Sequence, residues 1–233
     1  MDYTLALMDE GKISLCDPIE KYLPECKKMH LRTPNGDGTF EDHGVLSEKI
    51  TVEQLLCHSS GIVSGGMFDR MTDKDRKTRN AAYQYYVRNG VSFVPGTMQE
   101  YNASASFDIM IRIMETVTDE PYESFLKRKL LEPLGMKDTL YVQTDTEAMR
   151  LVAMWDKKDG KAIHSARDEK GELVDYGRSV YWGGAGLSST LSDYIRFAEM
   201  LRQAVYLKNS RYDGGAGAVT SLHFEQDVYA AME

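Results

Sequence analysis

The chain has 233 residues, 42% apolar and 27% charged, long enough to bury a full hydrophobic core and with the balance of an ordinary globular protein, so disorder is not the default reading. Its formal net charge of -8 comes from acidic residues spread along the length, which argues against nucleic acid or an anionic membrane as partner and leaves a small molecule or peptide. No apolar run nears the roughly 20 residues that span a bilayer, and Met1 to Glu10 lacks the basic start and apolar centre of a signal peptide, so the chain as written reads as cytoplasmic. Cys16, Cys26 and Cys57 are odd in number and match no metal-site spacing, so free thiols are expected.

The first residues read as the end of a helix, with Leu5 and Met8 on one stripe and Gly11 as a left-handed stop. Asp17-Pro18 leads into a helical turn through Tyr22-Leu23, closed by Pro24. From Lys27 to Lys49 the chain holds Pro34-Asn35-Gly36-Asp37-Gly38 and no periodicity, which predicts a surface loop. Thr51 and Gln54 have capping-box spacing before Leu55-Leu56, and the short helix they open stops at Ser59-Ser60-Gly61.

After the turn Pro95-Gly96-Thr97, the residues Phe107, Met110, Ile111, Met114 and Val117 recur at helical spacing. Pro121 suits the first turn of another helix, with Tyr122, Phe125, Leu126 and Leu130 on its face and an end before Pro133 and Gly135. Met149 to Tyr181 alternates like a small β-meander, punctuated by Asp159-Gly160 and Lys170-Gly171. Thr190 with Asp193 caps the most regular amphipathic helix, which presents Leu191, Tyr194, Ile195, Ala198 and Leu201. Around Gly214-Gly215-Ala216-Gly217-Ala218 neither period holds, so residues 1–203 form one domain and 204–233 an unassigned tail.

Several segments, in order, resemble one family. Leu7-Met8-Asp9-Glu10-Gly11-Lys12-Ile13-Ser14-Leu15, followed by Asp17-Pro18 and Lys21-Tyr22-Leu23-Pro24, resembles the stretch after the active-site helix of β-lactamase-related serine hydrolases of the class C β-lactamase, DD-peptidase and esterase type. Ile50 to Ile62 is similar to that family's ITxxxLLxHxSG segment, and Pro95-Gly96-Thr97 with Tyr101 to its PGxxxxY. Pro133-Leu134-Gly135-Met136-Lys137-Asp138-Thr139 and Gly183-Gly184-Ala185-Gly186-Leu187-Ser188-Ser189-Thr190 complete the set. The resemblance implies an α/β fold of α+β type, with a helical lobe, an antiparallel sheet and a site between them, and acyl transfer through a serine ester.

Such chemistry needs an activated nucleophile, a proton carrier and oxyanion donors. In the family a Ser-x-x-Lys motif supplies nucleophile and lysine, a Tyr-x-Asn segment the proton-carrying phenol, and a Lys/His-Thr/Ser-Gly strand further charge and a backbone donor. The family order puts Ser-x-x-Lys upstream of Met1, so the chain reads as truncated, and an export signal would be lost with the missing part, leaving the compartment unknown. Tyr101 takes the place of the family tyrosine. Asn102 follows it directly, one position early, and the stretch to Phe107-Asp108 is one residue longer than usual.

One Ser-x-x-Lys string occurs, Ser124-Phe125-Leu126-Lys127, placing hydroxyl and amine on neighbouring helix positions but far from the expected place. His58 belongs to the LLxHxSG turn, where the resemblance implies support beneath the site; Ser59 and Ser60 read as backbone-bonding hydroxyls before a glycine. His30, His43, His164 and His223 show no partner spacing, and neither a metal nor another cofactor is expected. No Lys-Thr-Gly or His-Thr-Gly follows the Thr190 helix; Arg211-Tyr212-Asp213-Gly214-Gly215 is the nearest shape and lacks the threonine.

The resulting expectation is a β-lactamase-related hydrolase of esters, small amides, β-lactams or D-amino-acid peptides, inactive over these residues alone. The alternative is a non-catalytic ligand-binding or scaffold protein of the same fold; a third reading keeps activity, with Ser124 and Lys127 or Ser60 as the nucleophile. The sheet would be incomplete, and the apolar helix faces that it normally covers would drive self-association.

Overall fold

A computed structural model describes residues 2–210 apart from positions 38, 103, 143, 153–154 and 165–180. The chain opens with α1 (Asp2–Asp9), whose end is made as its sequence predicts: Gly11 takes φ +67° and the Lys12 N–H reaches back to the Leu7 carbonyl at 2.9 Å. The Asp17-Pro18 segment runs into a 3₁₀ turn at Ile19–Lys21. Pro24 does not close it but opens a second 3₁₀ turn, Pro24–Lys28, because a residue without an N–H suits a first turn.

Lys27 to Lys49 is not a loop. It folds as an antiparallel hairpin of β1 (His30–Pro34) and β2 (Phe40–Val45), in the register Arg32↔Asp42 and Pro34↔Phe40 with a bulge between His30 and Arg32. No strand residue of either is fully buried, so no face imposes an apolar alternation that sequence could show. Asp42 holds the pair together: it accepts from Gly44 N at 2.8 Å and Arg32 Nε at 2.9 Å and meets His30 Nδ1 at 2.8 Å. These bonds, the Gly44 N–H first among them, keep its carboxyl well below the usual carboxylate range.

α2 (Val52–Leu56) carries the capping box, with Thr51 Oγ1 accepting from Gln54 N and Gln54 Oε1 accepting from Thr51 N. Two helices follow in sequence that periodicity does not reveal, α3 (Asp73–Arg76) and α4 (Arg79–Asn89). α4 buries Ala82 together with Tyr83, Tyr85 and Tyr86, aromatic residues that hydropathy counts as ambiguous. It ends at Gly90, φ +76°, where a Cβ would lie 2.1 Å from the His30 carbonyl oxygen. The chain there is pressed against β1, and Val91 bridges both Leu31 and Ile62.

α5 (Ala105–Thr118) is the central helix: Ile109, Met110, Ile111, Ile113 and Met114 are all buried, so it is covered on nearly every side, as a helix that is apolar around most of its circumference must be. It packs on α1, α2, α4 and on α6 (Tyr122–Leu126). α6 starts after Pro121 and loosens into a π turn at Lys127–Leu131.

Next come β3 (Leu140–Tyr141), α7 (Asp145–Ala148), β4 (Trp155–Lys158), β5 (Lys161–His164) and β6 (Leu187–Ser188). β4 and β5 form the expected hairpin around Asp159-Gly160, both at positive φ, while the Lys170-Gly171 part of the predicted meander lies outside the described residues. β3 pairs antiparallel with β6, Tyr141 opposite Leu187. Among the described residues the strands make three separate two-stranded antiparallel pairs, so the fold is α+β with a helical bulk.

The last helix, α8 (Leu191–Ser210), opens at Thr190, whose Oγ1 accepts from Asp193 N at 3.3 Å. Its Met200, with Phe197 and Leu201, packs on Leu134 and Met136 as a satellite core. Residues 211–233, including the glycine run, lie outside the described residues.

Candidate active site

The loop after α2 makes a sharp reversal that only unusual backbone allows. His58 sits at φ +60° and Gly61 at φ +73°, and a Cβ on Gly61 would fall 2.8 Å from the Phe93 carbonyl oxygen. This reversal is stitched to the segment before α5 by four backbone-directed bonds. Gly96 N donates to Ser59 O (2.8 Å), Glu100 N to His58 O (3.0 Å), Gln99 Nε2 to Cys57 O (2.7 Å), and Gly65 N to Glu100 Oε1 (2.7 Å).

Tyr101 stands on that platform. Its ring packs on the His58 ring with centroids 4.8 Å apart while the side chain stays 75% exposed. His58 is itself fixed from behind, by Phe107 edge-on at 5.6 Å and by the Asn102 N–H donating to Nδ1 at 3.4 Å. An acceptor at Nδ1 leaves the proton of a neutral imidazole on Nε2.

Asn102 goes the other way. Its amide is buried and fully engaged: Nδ2 donates to Ile62 O (3.0 Å), and Oδ1 accepts from Ser104 N (3.1 Å) and Ala105 N (2.8 Å). It therefore caps α5 and ties it to the Gly61 turn. The two candidates are adjacent in sequence and diverge in space.

Ser124 and Lys127 lie on α6 and its π turn. Both are exposed, and Lys127 Nζ pairs with Glu132 at 3.7 Å. Ser60 is buried, with Oγ accepting from Ile62 N at 3.4 Å, and Ser59 Oγ lies 3.0 Å from Cys57 Sγ. The three cysteines are free thiols; Cys26 is buried beside Tyr83, and burial pushes its thiol up to about 12.

Sequence reasoning missed Asp108. It is buried in the first turn of α5, where Oδ2 accepts from Tyr86 Oη and Oδ1 from Gly183 N, both at 2.8 Å. Burial outweighs these bonds and pushes its carboxyl up to about 6. Gly183 lies so close that a Cβ would come within 2.6 Å of the Phe107 carbonyl carbon and oxygen. The glycine-rich 183–186 segment is thereby brought against the start of α5, and Arg79 holds its entry by donating to Tyr181 O at 3.2 Å. A carboxylate within an otherwise apolar helix face was the one signal available.

A cavity of about 340 Å³ opens beside this segment, lined by Phe125, Leu130, Met136, Tyr141, Gly184 and Leu187 among others. Among the described residues no three His, Cys, Asp or Glu side chains gather as metal ligands, and no helix is long and apolar enough to cross a membrane.

The family pattern for Beta-lactamase matches residues 3–224. The chain belongs to the β-lactamase family. It is 29% identical over 204 residues to Protein Rv1367c of Mycobacterium tuberculosis, covering 84% of this chain and 49% of that one. To the D-alanyl-D-alanine-carboxypeptidase/endopeptidase AmpH of Escherichia coli it is 24% identical over 207 residues, covering 88% and 46%. Among solved structures, unliganded simvastatin synthase LovD of Aspergillus terreus superposes with a TM-score of 0.62 at 20% identity, over 85% of this chain and 50% of that one. The chain thus spans about half the length of these relatives.

Proposed function

We propose that residues 1–233 supply the tyrosine side of an acyl-transferring serine hydrolase site, for esters, small amides, β-lactams or D-amino-acid peptides, and that no nucleophile lies within them. The observation that carries this is the Tyr101 platform: an exposed phenol packed on the His58 ring, which in turn meets Phe107, the residue whose backbone Gly183 approaches at the head of α5. A phenol so placed can carry a proton between a serine hydroxyl and a leaving group. The relative named as a D-alanyl-D-alanine-carboxypeptidase/endopeptidase supports acyl transfer as the chemistry.

Neither Ser124 nor Ser60 fits the nucleophile's role. Ser124 has an exposed amine four-square to solvent three residues on, already paired with Glu132, and Ser60 is buried against its own loop. Without a covalent step the residual catalysis of such a site is small. A serine-reactive fluorophosphonate should therefore leave Ser60 and Ser124 unlabelled, with peptide mapping as the readout. Stoichiometric label on either would overturn the proposal.

A further inference from the structure

The backbone at His58 is fixed from three places. The carbonyls of Cys57, His58 and Ser59, consecutive in sequence, accept from Gln99 Nε2, Glu100 N and Gly96 N, which locks the peptide groups on both sides of the residue. Its φ of +60° is one that histidine, asparagine and aspartate take more readily than other side chains. What this lock presents is a half-buried ring, with Phe107 edge-on at 5.6 Å and Tyr101 tilted across it at 4.8 Å. Among the described residues the Tyr101 hydroxyl has no hydrogen-bond partner, so the ring contact is what places a side chain otherwise 75% exposed.

That contact depends on a neutral imidazole. Nδ1 accepts from the Asn102 N–H at 3.4 Å, so Nε2 carries the ring's proton, and the proton that completes an imidazolium has only Nδ1 to go to. Two N–H groups then point at each other across 3.4 Å. Asn102 is not free to turn away, because its amide is bound to Ile62 O, Ser104 N and Ala105 N. The His58 side chain is the part that can move, and swinging about its own bonds carries the ring off Tyr101. The attraction of a cation to an exposed tyrosine face is weaker than the cost of two facing donors and does not hold it there. Beside the ring, the elements it packs on bring Glu100, whose carboxylate accepts from Gly65 N, the Cys57 thiol 3.0 Å from Ser59 Oγ, Tyr101 itself, and Asp108, next to Phe107 with both oxygens bound.

We propose that neutral His58 is the positioning residue for Tyr101, and that protonation of its ring releases the phenol. Its importance for catalysis rests on the proton-carrying role proposed for Tyr101; the placement itself does not, and it is read without any chemistry. NMR spectra of the chain over a pH series test it, with the Tyr101 ring signals identified by their absence from Tyr101→Phe. The expected result is a cross-relaxation peak between the two rings that is present while His58 is neutral and is lost as the His58 Cε1–H signal titrates. Over the same step the Tyr101 signals should converge on those of His58→Asn, which suits the backbone conformation and keeps an acceptor for the Asn102 N–H but has no ring. A change of charge without movement shifts the signals and gives neither the loss nor the convergence. Asp108→Asn should leave the step in place, which separates it from the Asp108 carboxyl. A cross-peak that persists through full protonation of His58, or a step that disappears in Asp108→Asn, overturns the proposal. Should His58→Asn fail to fold, the parent's own cross-peak decides. Acylation of a longer chain that ignores Tyr101→Phe would sink the proton-carrying role alone, since the cross-peak does not depend on it.

Discussion

Replacing Asn102 by alanine separates its structural role from a chemical one. The amide makes one donation, to Ile62 O, and two acceptances, from Ser104 N and Ala105 N. Losing a cap of this kind costs about 1 kcal/mol. Leaving the buried partners short of hydrogen bonds adds about 1–3 kcal/mol. A total near 3 kcal/mol lowers the melting temperature by roughly 6–12 °C for a chain of this size. Asn102→Asp keeps the acceptor and loses the donor, so its cost should fall between parent and alanine. Urea unfolding and thermal melts followed by far-UV circular dichroism read both. If Asn102→Ala loses less than about 0.5 kcal/mol, the amide is not the tie between the Gly61 turn and α5, and the reasoning fails.

Asp108 gives a pH signature. Its folded carboxyl keeps a proton up to about 6 against 3.8 for an ordinary aspartate, so the folded state binds more protons in that window. Its contribution to stability is full below 3.8 and is lost as pH rises through about 6. Asp108→Asn, whose amide can accept from Gly183 and donate to Tyr86, should remove this fall, gaining on the order of 2 kcal/mol on the parent between pH 4 and 7 in denaturant titrations; parallel curves would refute it. A thiol reagent applied to the folded chain should label Cys16 and Cys57 and reach Cys26 only after denaturation, and rapid native labelling at Cys26 would contradict its burial. Gly90→Ala, at positive φ with the His30 carbonyl in the way, should cost about 2–4 kcal/mol or yield insoluble protein, whereas Gly36→Ala meets nothing and pays only for its φ. Equal stability of the two variants would show that the Gly90 approach is looser than 2.1 Å implies.

How much was legible depended on whether one face dominated. The α1 stop at Gly11, the Thr51 capping box, α5 and the Thr190 cap were readable because local chemistry and the 3.6 period agree there. The β1 and β2 hairpin was not, since Asp42 and backbone pairing hold it with no buried face, nor was α4, whose buried residues are mainly tyrosines. At the candidate site, Tyr101 was proposed from the family resemblance of Pro95-Gly96-Thr97 and the tyrosine that follows it. What sequence could not give was that Asn102 turns inward, that His58 adopts φ +60° beneath the tyrosine, or that Gly183 reaches Asp108 from 75 residues away. Those facts depend on the close approach of separate segments, which leaves no local pattern.

The central claim is that these residues hold the proton-carrying side of the site without its nucleophile. Its most direct test is covalent labelling by a fluorescent penicillin or an activated ester. The chain of residues 1–233 would be compared with a longer chain that adds a Ser-x-x-Lys motif before Met1, each with and without Tyr101→Phe. The account predicts no label on residues 1–233, label on the longer chain, and slower labelling there without the Tyr101 hydroxyl. Stoichiometric label on residues 1–233 alone, or a longer chain indifferent to Tyr101→Phe, would contradict it.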